Sequence, residues 1–129
     1  MVDHQAQDGW LQVEDFLSGT LVKGDDALDQ AVSTARRAGM PPIEVAPTAG
    51  KLLMLLARFS GARRVLEIGT LAGFSTIWLA RGIPEDGQLV TCEYSPGHAA
   101  VARRNIERAG AAHKVSIRVG PALAPGNGS

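Results

Sequence analysis

Cysteine is almost absent: Cys92 stands alone among 129 residues, so no internal disulfide can form and a reducing compartment suits the chain. Aromatic residues make up only 5%, and no apolar run reaches the ~18 residues that a membrane-spanning helix needs. An excess of either charge is missing too. Thirteen Lys and Arg balance thirteen Asp and Glu, which argues against nucleic-acid binding, since that takes a surplus of cations to displace counterions. The first residues, Met1 to Asp8, are polar and lack the apolar centre of a signal peptide. What is present is a 45% hydrophobic composition, with Leu, Ile and Val spread throughout, enough to bury one modest core. The expectation is a soluble, cytoplasmic, globular chain.

Helical patterns come first. Trp10, Val13, Phe16 and Leu17 recur at helical spacing between Gly9 and Leu17. Leu28, Val32 and Ala35 continue from an N-cap at Asp25 as far as Arg36 and Arg37, with Gly39 just beyond as a stop. Met40-Pro41-Pro42-Ile43 reads as an extended connector, because its prolines remove amide donors and restrict the residues before them. Pro47 then opens a third helix, in which Leu52, Leu53, Leu55, Leu56 and Phe59 give a broad apolar face ending near Gly61. Trp10, Phe16 and this Leu-rich helix read as core or dimer packing. His4, His98 and His113 have no metal-ligand spacing and read as isolated surface residues. Cys92 reads as a small core residue rather than a nucleophile.

After Gly61 strand and helix alternate. Arg64 to Ile68 is a short buried strand ending in Gly69. Gly73 to Ile83 is a helix, and Pro84-Glu85-Asp86-Gly87 a turn. Gln88 to Glu93 is a second strand. Ser95-Pro96 caps a helix running to Arg108, and Lys114 to Val119 alternates as a third strand. This order is the first half of a doubly wound α/β fold with parallel strands. It divides the chain into an N-terminal helical segment (1–62), a βαβαβ half (63–123) and a flexible tail (124–129).

In such folds a ligand sits beyond the carboxyl ends of the strands, against the loop after the first strand. Here that loop runs from Glu67 through Gly69, Thr70, Leu71 and Gly73 to Ser75. Gly69 and Gly73 let the backbone come close to a ligand, and the next helix offers free amides. A dinucleotide fingerprint needs a second glycine where Leu71 stands, and Glu67 would repel a phosphate, so a nicotinamide dinucleotide is disfavoured. A ligand carrying positive charge tolerates that carboxylate. S-adenosylmethionine has a sulfonium and an ammonium group, and its own carboxylate can be met by the helix N-terminus and Ser75. Glu93, at the end of the second strand, is placed to bond both ribose hydroxyls. The third strand end, Gly120-Pro121-Ala122, is placed to line the adenine.

Val65 to Ser75, then Pro84 to Gly87, Thr91-Cys92-Glu93 and Gly120 to Leu123, preceded by Ile43 to Pro47 and Gly50 to Leu53, resemble the O-methyltransferase family of catechol and caffeoyl-CoA O-methyltransferases. The resemblance covers Met40 to Pro125, roughly two thirds of the chain. It implies a Rossmann-like class I methyltransferase fold, incomplete here, with N-terminal helices and about three parallel strands. It further implies that Val45 contacts the methionine end of S-adenosylmethionine through its backbone. Glu67 and the Gly69-Thr70 backbone then form the loop floor, Ser75 holds the carboxylate, and Glu93 takes the ribose. Tyr94 lies beside the adenine and Ala122 lines its edge.

In that family a divalent metal, usually magnesium, holds two adjacent oxygens of a phenolic substrate while a base removes a proton. The segments that carry those ligands and that base follow the fourth and fifth strands, and no residue of this chain is matched to them. The expected function is therefore methyl transfer to a hydroxyl of a small catechol-like substrate, in a chain truncated before its catalytic segments and expected to form a homo-oligomer. A non-catalytic nucleoside-binding module that has lost the chemistry is the alternative.

Overall fold

The computed structural model describes residues 3–23 and 25–123. Helices α1 (His4–Leu21), α2 (Asp26–Arg37) and α3 (Pro47–Phe59) precede strand β1 (Arg64–Ile68), helix α4 (Phe74–Gly82), strand β2 (Gln88–Glu93), helix α5 (Pro96–Arg108) and strand β3 (Val115–Val119). A short 3-10 turn at Ala112–Lys114 leads into β3. The flexible tail expected at 124–129 lies outside the described residues.

The strands are parallel in the order β1-β2-β3, as the alternation of elements predicts. Their register sets Glu67 opposite Thr91 and Thr91 opposite Ile117. Side chains alternate across a sheet, so Leu89, Thr91 and Glu93 of β2 point to one face, where all three are buried. That face carries the core: Leu89 packs with Ile77 and Trp78 of α4, Ala102 and Ile106 of α5, Ala57 of α3, and Leu28 and Ala31 of α2. Ile77 and Leu89 are wholly buried, each worth about 1.5–3 kcal/mol of removal from water. The opposite face is open, with Leu66 and Ile68 of β1 exposed at 66% and 69%. Among the described residues β1 is also an edge strand, as β3 is on the other side of the sheet.

α1 departs from expectation. It extends beyond Gly9–Leu17 in both directions, to Leu21 at one end and to His4 at the other, where the Asp3 side chain caps it by accepting the Gln5 amide. None of its residues is buried, and Trp10 and Phe16 are exposed at 74% and 71%, so neither belongs to this chain's core. What holds α1 is polar. Glu14 accepts the Thr48 hydroxyl at 2.6 Å, the Thr48 amide at 3.3 Å and the Ser18 hydroxyl at 2.8 Å. These bonds, the Thr48 hydroxyl foremost, keep the Glu14 carboxyl below its ordinary pKa.

His113 is not isolated either. Its Nε2 lies 2.9 Å from Glu85, whose other oxygen is 3.2 Å from the Lys114 ammonium. The same ammonium donates to the Ala80 and Ile83 carbonyls and so closes the end of α4. The His113 bond first, and then Lys114, hold the Glu85 carboxyl below its usual value.

Two contacts fix how the helices meet. A β-carbon added to Gly82 would lie 2.5 Å from the Met54 carbonyl oxygen and 2.8 Å from Ala57 Cβ, so α3 and α4 approach closely only because residue 82 has no side chain. Asp25 caps α2 through the Ala27 and Leu28 amides and meets Arg81 of α4 at 2.8 Å.

Gly82→Ala is expected to lower unfolding free energy by about 1–3 kcal/mol through overpacking, measured by urea denaturation. The Asp25 carboxyl is held below its ordinary pKa by the Arg81 hydrogen bond first and by the backbone amides after it. Its charge-dependent stabilisation is therefore complete above the ordinary Asp value of 3.8 and lost as pH falls through the lowered value. Asp25→Asn keeps a capping side chain without the charge, so the stability gap between it and the wild type should close in that acidic window. Asp25→Ala also removes the cap and should cost about 1 kcal/mol more; thermal melts at several pH values read both effects.

Candidate functional site

The carboxyl ends of β1 and β2 face a cleft of about 430 Å³ whose walls come from α2, the connector before α3, the loop after β1 and the start of α5. Its apolar side is made by Ala31, Val32, Ala35, Ile43 and Val45; its polar side by the Gly69-Thr70 loop, Ser75, Glu93 and His98. Pro41 and Pro42 keep the connector extended, as their fixed φ requires, and this brings Val45 to the cleft from a segment distant in sequence.

The loop after β1 is a tight reversal. Gly69, Leu71 and Gly73 adopt positive φ of 92°, 51° and 87°, and Leu71 is the one non-glycine among the described residues to do so. At Gly69 nothing lies within 4 Å of a would-be β-carbon, so glycine serves the backbone turn there. Gly73 differs from expectation. A β-carbon on it would come within 3.2 Å of Ile106 and 3.4 Å of the Ala102 carbonyl, so besides its positive φ it lets the loop pack on α5 rather than admitting a ligand. The Ala72 carbonyl accepts the side-chain amide of Asn105 at 2.9 Å, and Asn105 is wholly buried. Position 71 costs strain, because left-handed backbone is disfavoured for any residue bearing a β-carbon. Two groups offset it: the Leu71 amide donates to Glu93 Oε1 at 2.8 Å, and the leucine side chain packs on Ala35, Met40, Ala72 and Val101.

Glu93 is 8% exposed. Its Oε1 takes the Leu71 amide and its Oε2 the Ser95 amide at 2.9 Å, tying together the loops that follow β1 and β2. A carboxylate has four acceptor positions, so one remains on each oxygen, a pair suited to two neighbouring hydroxyls. His98 Nδ1 lies 3.7 Å from Oε2. The sequence predicts a surface position for His98; α5 instead turns its half-buried ring toward Glu93.

Glu67 lies behind the loop, outside the cleft lining. Its Oε2 accepts the Ser75 hydroxyl at 2.6 Å, and its Oε1 accepts the hydroxyls of Thr91, at 2.8 Å, and Thr76. Thr70 and Thr91 hydroxyl oxygens are 2.6 Å apart. Since Thr91 has one proton and gives it to Glu67, Thr70 must be the donor to Thr91. The order is thus Thr70 to Thr91 to Glu67, with Thr70 and Thr91 buried.

The structure therefore brings Val45, Gly69, Thr70, Ser75 and Glu93 to one cleft, with Glu67 one bond behind. Ser75 does not stand free, as its proton is engaged by Glu67. Tyr94 (76% exposed) and Ala122 lie outside the lining and open to solvent. Sequence reasoning missed Thr76, Thr91 and Asn105, whose roles depend on neighbours across the sheet or along α5. Among the described residues no group of three His, Cys, Asp or Glu converges, so no metal is assigned to any residue here. No described helix is long and apolar enough to cross a membrane.

A parallel sheet with a glycine turn at the end of β1 and an acidic residue at the end of β2 defines a Rossmann-like α/β domain. Within that class, the model of the O-methyltransferase family matches residues 20–126, and the chain belongs to that family. Residues in one 111-residue stretch are 56% identical to a catechol O-methyltransferase of Mycobacterium tuberculosis, covering 86% of this chain and 50% of that protein. The corresponding figures for a catechol O-methyltransferase of Niastella koreensis are 51% identity over 111 residues, with the same shares. An O-methyltransferase from Bacillus cereus in complex with SAH superposes with a TM-score of 0.88 at 46% identity, over 90% of this chain and 53% of that one. TomG from Streptomyces achromogenes, solved in complex with SAM, gives 0.87 at 46% identity, over 95% and 54%. The chain spans about half the length of the curated relatives it matches.

Asn105→Leu should leave the Ala72 carbonyl buried without its donor and cost about 1–3 kcal/mol, read by urea unfolding. A loss below about 0.5 kcal/mol, the range of neutral surface changes, would show that the loop does not depend on α5.

Proposed function

We propose that this chain binds S-adenosylmethionine in the cleft and forms the cofactor-holding part of an O-methyltransferase acting on a small catechol-like hydroxyl substrate. The observation that carries this reading is Glu93, a buried carboxylate with one acceptor position left on each oxygen and aimed into the cleft. The fit extends to the other groups of the cofactor. Two carboxylates near the loop, Glu67 and Glu93, favour a cation, and the amides at the start of α4 favour a carboxylate. The apolar wall of Val32, Ala35, Ile43 and Val45 suits the thioether arm.

When bound, S-adenosylmethionine supplies a methyl group on a sulfonium, the electrophile of the transfer. The chain's own residues bind and orient it. Glu93 fixes the ribose, Val45 meets the methionine end through its backbone, and the Gly69-Thr70 backbone floors the arm. Ser75 meets the carboxylate, while Tyr94 and Ala122 close on the adenine by moving in from their exposed positions. Such positioning is what makes a displacement at carbon fast. The divalent magnesium of the family, its ligands and the proton-accepting base are not matched to residues of this chain, and no step is routed through them.

The chain is further proposed to act in the cytoplasm, with 1–62 packed as the helical segment of the same domain as 63–123. It is also proposed to self-associate. Trp10, Phe16 and Phe59 are exposed at 74%, 71% and 81%, and apolar surface of that size on α1 and α3 favours a partner face.

Isothermal titration with S-adenosylmethionine and S-adenosylhomocysteine tests the reading directly. Saturable binding is expected, weakened at least ~10-fold in Glu93→Ala, the worth of one or two hydrogen bonds to a charged group. Glu93→Gln should fall between, because the amide nitrogen cannot accept from a backbone donor. No binding to a cooperatively folded sample would overturn the assignment.

A further inference from the structure

Helix α3 begins without a cap of its own. Ala46 at its N-cap has no side chain that could accept, and Pro47 has no amide to give, so the first free amide is that of Thr48. Glu14 of α1 fills the gap from 34 residues away: its Oε1 accepts that amide at 3.3 Å and its Oε2 the Thr48 hydroxyl at 2.6 Å. A carboxylate there also meets the positive end of the α3 dipole. One turn further along α3, the Lys51 ammonium donates to the Leu21 carbonyl, one of those left free where α1 ends. Thr48 and Lys51 stand three residues apart, and Glu14 and Leu21 seven apart, spacings that keep each pair on one helix face. Since α1 buries no residue, these two polar points are what strap it to α3.

The strapped turn borders the cleft. Beneath the end of α1 is a cavity of about 190 Å³ lined in part by Ser18, Val22, Pro47, Phe74 and Trp78, and Phe74 lines the cleft as well. The connector residues Ile43, Glu44 and Val45, which wall the cleft, run through Ala46 directly into Pro47 and Thr48. Among the described residues, no backbone hydrogen bond ties Glu44 or Val45 to another element. A connector without such bonds takes its place from the two ends that hold it.

We infer that Glu14 is a positioning residue for the cleft, acting through Thr48 and the first turn of α3 on the backbone of Val45. The effect on binding deepens the proposed cofactor reading and rests on it; the strap itself does not. An isolated helix of this length is marginal in water, so an α1 released from α3 exchanges its amides quickly. In Glu14→Ala, amide exchange across α1 and at the start of α3 should quicken by at least about tenfold, the worth of one hydrogen bond to a charged group. Glu14→Gln keeps one acceptor oxygen and should fall between. Thr48→Val should quicken exchange in the wild type but add nothing to Glu14→Ala, since the two residues share one contact.

The binding signature is a split between two ligands. S-adenosylhomocysteine has the amino-acid arm that Val45 is proposed to meet, whereas 5′-methylthioadenosine keeps the nucleoside and the sulfur and lacks that arm. Glu14→Ala should weaken S-adenosylhomocysteine about fivefold, as for one neutral hydrogen bond, and leave methylthioadenosine unchanged. A serviceless loss of stability would weaken both alike.

Hydrogen exchange read by mass spectrometry at equal protein concentration, with titration calorimetry of both ligands, measures these effects; thermal unfolding confirms that each sample is folded. Should Glu14→Ala fail to fold, Thr48→Val carries the same comparison. Unchanged exchange in α1 overturns the strap. Faster exchange in α1 with an unchanged ratio of the two affinities overturns the positioning role and leaves the cofactor reading intact, provided S-adenosylhomocysteine binds the wild type. Failure of S-adenosylhomocysteine to bind the folded wild type overturns the cofactor reading and the positioning role together, whatever the exchange of α1 shows.

Discussion

The bond from the Leu71 amide to Glu93 is the constraint on which the cleft depends. It joins the loops after β1 and β2 at the level of the strand ends and helps to hold a leucine in left-handed backbone. It also keeps a buried carboxylate in place with acceptor capacity to spare. Burying a charge is costly unless it is hydrogen-bonded, so Glu93 and the strained loop stabilise each other. Pre-forming a site in this way lowers the ordering that a ligand must induce on binding.

Around that bond the site is built from hydroxyls and carboxylates, with few cations. Glu67 is satisfied by Ser75, Thr76 and Thr91, none of which carries charge. The nearest ionisable partner of Glu93 is His98, at 3.7 Å. Lysine and arginine lie elsewhere: Arg81 pairs with Asp25 at the side of α4, and Lys114 closes the far end of that helix. Among the described residues no Lys or Arg lines the cleft, an arrangement that supports the proposed ligand bearing positive charge over one bearing phosphates.

The two faces of the sheet have different fates. One is covered by α4 and α5, with α2 and α3 packed over them, and holds the core. The other presents Leu66 and Ile68 to solvent, beside an edge strand. Relatives that match this chain are about twice as long as the stretch it covers.

The sequence by itself determined the order and type of the elements, because hydrophobic periodicity, caps at Asp25 and Ser95, prolines at Pro47 and Pro96 and the turn at Pro84–Gly87 are local signals. It also determined the parallel sheet, since alternating strand and helix leave little other topology, and it marked Glu67, Gly69, Ser75 and Glu93 as the residues to watch. It did not reveal that α1 would bury nothing, because periodicity shows that a face is apolar but not what covers it. Nor could it show Thr91 beneath Glu67 or Asn105 beneath Ala72. Those partners are 24 and 33 residues apart in sequence and meet only through strand register and helix packing. The direction of the Ser75 proton belongs to the same class: a hydroxyl's partner is chosen by which acceptor the folded chain places within reach, and tertiary structure alone decides that.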